Sequence, residues 1–192
     1  MKLSRLLAVA ALTIPMVALP GCIITSAQIL THFKLPNPFT INSSVPGDQS
    51  ERVPVDLSVD PGADYTDNKD KLKGLSDLAI LGTFTNVSGP AGAVEVYIVP
   101  TLDQPPGGAP AIPPGAILLW GPGAIGAAGA PDGVRTVGWD ESAALFSQAG
   151  KDLLISEVLG DGQFTLYTIG TAGVYEIRVD DGVLVLVLDA GN

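Results

Sequence analysis

The chain has 192 residues, twenty acidic against ten basic side chains, a formal net charge of −10 and a single cysteine. That length suits one domain, or one domain with a tether. One cysteine excludes an internal disulfide, and the acidic balance excludes a nucleic-acid surface, which needs clustered Lys and Arg.

Residues 1–5, MKLSR, carry Lys2 and Arg5 and no acid, and residues 6–19, LLAVAALTIPMVAL, carry no charge. A basic start, an apolar run and small residues beyond it are the layout of a secretory signal peptide. A bilayer span needs about 20 apolar residues; this run is shorter and is interrupted by Pro15. A core helix would need a polar face at helical spacing, which residues 6–19 lack.

Leu19-Pro20-Gly21-Cys22 closes the run. It resembles the lipobox of bacterial lipoproteins, in which a leucine sits three residues before an invariant cysteine and a small residue sits just before it. Pro20 departs from the small or hydroxyl residue usual at the middle position. The resemblance covers residues 1–22 only. It implies cleavage between Gly21 and Cys22, a diacylglycerol on the Cys22 sulfur and a fatty acyl chain such as palmitate on the new N-terminus. One acyl chain anchors only marginally, at about 0.8 kcal/mol per buried methylene, so three chains make the membrane a permanent partner. A thioether also leaves no spare thiol to mispair in an exported chain. In Gram-negative lipoproteins of this kind an aspartate after the cysteine signals inner-membrane retention; Ile23 stands there and points to the outer membrane.

Without residues 1–21 the chain loses Lys2 and Arg5, which leaves eight basic and twenty acidic residues, a net charge of −12. Scattered acid of this kind favours solubility and self-repulsion. Residues 22–38 read as a lipid-anchored tether, because the segment from 23 to 50 is poor in charge and holds three prolines. The apolar Ile29, Leu30, Phe33 and Leu35 predict that part of it packs, with Phe39-Thr40-Ile41 as a first strand of a domain spanning 39–192.

In RVPVDLSVD, Val53, Val55, Leu57 and Val59 alternate with polar residues, the pattern of a half-buried strand. Pro54 cannot donate to a ladder and marks it as an edge. Asp60, Asp64, Asp67 and Asp70 follow within eleven residues. Calcium takes six to eight oxygen ligands, so these four are the candidate metal ligands. Their spacing is not that of an EF-hand, Lys69, Lys71 and Lys73 are interleaved, and Asp favours turns on its own account. The plainer reading is a solvated loop.

Residues 78–86 place Leu78, Ile80, Gly82 and Phe84 on one face, and residues 93–99 do the same with Val94, Val96 and Ile98. The turn signal NVSGPAG between them predicts an antiparallel pair. Residues 105–131 hold fourteen Gly or Pro in 27 positions and read as a long loop. Two roles compete for it: a wrap whose Trp120 plugs the core, or an apolar partner surface at Ile117, Leu118, Leu119 and Trp120. Residues 140–159 read as a helix capped by Asp140, with Gly150 as a weak point that can split it and leave LLISEVL as a strand. QFTLYTI (163–169) reads as a strand. VYEIRV, Asp180-Asp181-Gly182 and VLVLVLD read as a hairpin, since Asp-Gly between β-rich runs is a strong turn signal. Its second strand is apolar on both faces and therefore central.

Chemistry-bearing sets are sparse. The sole histidine, His32, lies in the tether segment; no Cys–His cluster suggests zinc; no Gly-x-Ser-x-Gly elbow, Ser-x-x-Lys motif or phosphate loop occurs. Asn42-Ser-Ser and Asn86-Val-Ser match an N-glycosylation pattern that a bacterial lipoprotein does not normally use. The sequence therefore predicts a mainly β chain, an antiparallel β-sandwich with one or two short helices. It predicts no cofactor and a non-catalytic structural or binding role toward an envelope protein or glycan. Two other functions remain open: a carboxylate hydrolase acting on polysaccharide, and an apolar-ligand carrier with a cavity between its sheets.

Overall fold

A computed structural model describes residues 26–35, 39–42, 50–59, 63–102, 112–171 and 173–191. Its elements are β1 (Ser26–Lys34), β2 (Phe39–Asn42), β3 (Ser50–Asp56), α1 (Ala63–Thr66), a 3-10 turn at Lys69–Lys71, β4 (Leu72–Ser88), β5 (Gly92–Val99), β6 (Ile117–Ile125), β7 (Val134–Val137), α2 (Trp139–Ala143), α3 (Gln148–Leu159), β8 (Gln163–Gly170) and β9 (Glu176–Gly191). One sheet runs β1-β9-β4-β7, with β2 also paired to β9; the other runs β3-β8-β5-β6. Every pairing is antiparallel. The fold is the mainly β sandwich that the alternating patterns predict.

The core lies between the sheets. Leu184, Leu186 and Leu188 of β9 and Leu78, Ile80 and Phe84 of β4 are buried on one side; Val94, Val96 and Ile98 of β5 and Phe164 and Leu166 of β8 are buried on the other. Phe84 and Trp120 stack across the gap with centroids 6.0 Å apart and ring planes 16° from parallel. Trp120 is buried, and its Nε1 donates to the Ser142 oxygens, 3.1 Å to Oγ and 3.2 Å to the carbonyl. β3 is an edge strand, in keeping with Pro54. β9 is central, in keeping with its two-faced apolar run.

Besides segment 105–131, read as a long loop but holding strand β6 over Ile117–Ile125, four predicted elements take a different form. Strands β4 and β5 do not pair. β4 pairs with β9 and β7, while β5 pairs with β8 and β6, so the turn after Ser88 carries the chain from one sheet to the other. Alternation reports which face is buried; a hairpin and a crossing between two sheets produce the same pattern. Asp180-Asp181-Gly182 is likewise no hairpin. β9 runs straight through it, and β4 shifts register there, from Thr83 opposite Asp180 to Leu81 opposite Val183. A two-residue I′ turn needs positive φ at both central residues. Asp181 has φ 53° and Gly182 is not in that region, so the pair forms a bulge and the strand continues.

The segment read as a tether is the third difference. Ser26–Lys34 is β1, in unbroken register along β9 from Ser26 opposite Gly191 to Lys34 opposite Val183. β2 then continues along the same strand, Phe39 opposite Val179 and Asn42 opposite Glu176. The fourth is the helix, which breaks at residues 144–147 and not at Gly150. Gly138, not Asp140, is the N-cap of α2, and Ser147 caps α3, its Oγ accepting from Gly150 N at 2.9 Å. Gly150 belongs inside α3 because a Cβ there would lie 2.6 Å from the Leu118 carbonyl oxygen. The intervening residues seal the edge of β6, with Gly121 N donating to Leu145 O and Ser147 N to Leu119 O.

Candidate functional site

Cys22 and Gly21 lie outside the described residues, as do Asp60 and the side chain of Asp64. Asp67 and Asp70 are exposed, Asp70 within the 3-10 turn and Asp67 just before it. Among the described residues no group of three or more His, Cys, Asp or Glu is placed to hold a metal. The apolar partner surface also needs correction. Leu119 and Trp120 are core residues, at 0% and 1% exposure, and Ile117 and Leu118 are half-buried. An alternating strand sends every second side chain inward, so four consecutive residues of β6 cannot make one outer surface. Asn86 is buried, and its Nδ2 donates to Pro90 O at 2.7 Å and Gly126 O at 2.9 Å, so this amide is structural and not a glycan acceptor in the folded chain.

Two clefts remain. The first, about 350 Å³, sits at the β9 bulge and is lined by His32, Lys34, Leu35, Asp181, Gly182 and Val183. The strand geometry explains why these meet. His32 and Lys34 are two apart on β1 and share its exposed outer face, and Leu35 N donates to Gly182 O at 2.9 Å. The sole histidine, one lysine and one aspartate thus converge where the ladder is interrupted. The second cleft, about 310 Å³, lies at the end of the sandwich where β5 begins and β6 ends. Its lining includes Gly92, Ile125, Gly126, Asp132 and Arg135. The Arg135 guanidinium already donates to Ala124 O and pairs with Glu141, each at 2.5 Å, so it stiffens the rim. Exposed Val87, Val134 and Val174 lie at the same end.

The floor of this second cleft is held by Tyr175. Its hydroxyl oxygen lies 2.5 Å from Thr171 O and 2.9 Å from Ala93 O, and accepts from Ala93 N at 3.3 Å. The ring fills the space that a side chain at Gly92 would need, 2.4 Å from the ideal Cβ position.

Carboxylates gather at the opposite end, around buried Tyr65, whose hydroxyl donates to Val158 O at 2.9 Å. Burial, then the negative charges of Asp161 and Asp56, push the Tyr65 phenol up. Burial and the Asp161 charge push the Glu157 carboxyl up. Asp56 moves the other way, chiefly because its carboxylate accepts from the Ser58 hydroxyl at 2.5 Å and also from Gln163 Nε2 at 3.0 Å. A carrier would need space between the sheets; the void beside Phe84 and Trp120 is about 10 Å³, room for about one water.

Sequence reasoning missed both clefts. Arg135, Asp132 and Gly92 come from three separate segments, and His32 meets Asp181 only through the bulge. Among the described residues no helix is long and apolar enough to cross a membrane. No protein-family model and no curated protein matches the chain. Among solved structures, a chain described as Desmodium yellow mottle tymovirus is similar at 15% identity, over 100% of this chain and 98% of that one, with a TM-score of 0.25. A likeness that low carries no argument about fold or function.

Proposed function

We propose that the protein is an exported bacterial lipoprotein, anchored through lipid on Cys22, whose sandwich serves a non-catalytic structural or binding role in the cell envelope. The observation that carries this reading is the run from Met1 to Cys22: a basic start, an uncharged apolar stretch, and Leu19 and Gly21 placed before the only cysteine. The sandwich is consistent with such a role, since its polar groups are used to pin strands and turns. The outer membrane is the destination that Ile23 favours in a Gram-negative host. The partner is an envelope protein or glycan, met at one of the two clefts.

Fractionation of a native host tests the anchor. The wild-type chain stays with the membrane through high-salt washing and leaves it only in detergent; the Cys22→Ser chain does not behave as a detergent-dependent mature form. A wild-type chain recovered in the soluble exported fraction contradicts the reading.

A further inference from the structure

A lipid on Cys22 would hold one end of the sandwich close to the membrane. Only three residues, 23–25, separate Cys22 from the first residue of β1. A fully extended chain spans at most about 3.6 Å per residue, so Ser26 lies within roughly 15 Å of the Cys22 backbone. Ser26 is not loose: it is in register with Gly191 of β9, and Ala27 shares Ala190 as a partner with Leu72 of β4. Neighbouring strands lie about 4.8 Å apart, so the starts of β1 and β4 and the end of β9 form one rigid edge.

We propose, on the basis of the Cys22 anchor argued above, that the sandwich stands end-on at the bilayer. The end carrying Ser26, Leu72 and Gly191 faces the headgroup surface, and the end carrying the Arg135 cleft points away from it. Lys71 and Lys73 flank Leu72 on the membrane side, with exposed Asp67, Asp70 and Asp161 at the same end. This end is therefore not a basic patch. Proximity is imposed by the short connection and does not need attraction to anionic lipid, so it persists at high salt. The seventeen residues of β4 set the far end apart. Discounting its register shifts against β9, at about 3.3 Å per paired step β4 carries Ser88 and the neighbouring cleft roughly 40 Å from Leu72. A partner that binds the Arg135 cleft would thereby be met clear of the bilayer without a long spacer.

The test uses the lipidated full chain in vesicles that contain a headgroup-nitroxide lipid. A fluorophore is placed on Lys73→Cys or on Ser88→Cys, both exposed positions, with Cys22 blocked by its own lipid. Quenching several-fold stronger at residue 73 than at 88, unchanged in high salt and abolished by a long Gly/Ser insertion before Ser26, is the expected result. Equal quenching at the two positions, with lipid mass present on Cys22, overturns the end-on placement and leaves the anchor intact. Absence of lipid mass on Cys22 overturns the anchor and this placement together.

Discussion

At the scale of single residues, Ser142 joins three parts of the fold. It is fully buried, its Oγ accepts from Ile80 N at 2.7 Å, and the same oxygen accepts from Trp120 Nε1. It thus satisfies a backbone N–H at the free edge of β4, just where β7 stops pairing with it. Ser142→Ala orphans that N–H. A buried donor left without a partner costs about 1–3 kcal/mol, so urea unfolding of the variant should show a loss in that range; a loss below about 0.5 kcal/mol contradicts the role. Glu157 gives a pH-dependent counterpart. Its carboxyl is raised by burial and by Asp161, so folding favours the protonated form. The stability it contributes is fully present below the ordinary glutamate pKa and is lost as pH rises through the raised folded value. Glu157→Gln should therefore raise the melting temperature at about pH 7 and leave it nearly unchanged at about pH 3.5. An equal shift at both pH values would contradict this.

At the scale of elements, β9 shows what the sequence reveals and what it conceals. Its apolar run is legible as a central strand because both faces need burial. Its continuity is not legible, because Asp181-Gly182 carries the composition of a hairpin turn while only Asp181 takes positive φ. β5 and β8 are legible by face and illegible by partner: alternation says which side is dry, whereas the choice between β4 and β8 as the neighbour of β5 is made by packing across the core. β1 is hidden for another reason. In SAQILTHFK the apolar Leu30 is exposed, at 67%, and the polar Thr31 is buried, at 2%, which inverts the expected polarity. The site was less legible than the fold, since each cleft collects residues from separate segments. β1 also supplies a direct prediction. Deleting residues 26–34 uncovers one edge of β9 and removes buried Phe33. Loss of a buried phenylalanine alone costs about 3–5 kcal/mol, so the deletion should abolish cooperative thermal unfolding. A chain that unfolds as before would mean that the segment is a spacer after all.

At the scale of the whole molecule, two sheets, a pinned turn at Tyr175 and an edge sealed by residues 145–147 make a rigid body whose clefts lie at its side and far end. In the proposed lipoprotein three residues join that body to a lipid at Cys22. Both the proposed role and the end-on placement rest on that lipid, and it is decided by intact mass of the protein from native membranes, beside a Cys22→Ser version. A mature chain that begins at Cys22 and carries the mass of a diacylglycerol and an acyl chain, lost in the serine variant, is the result predicted. A mature chain cut elsewhere, or one beginning at an unmodified Cys22, would contradict it.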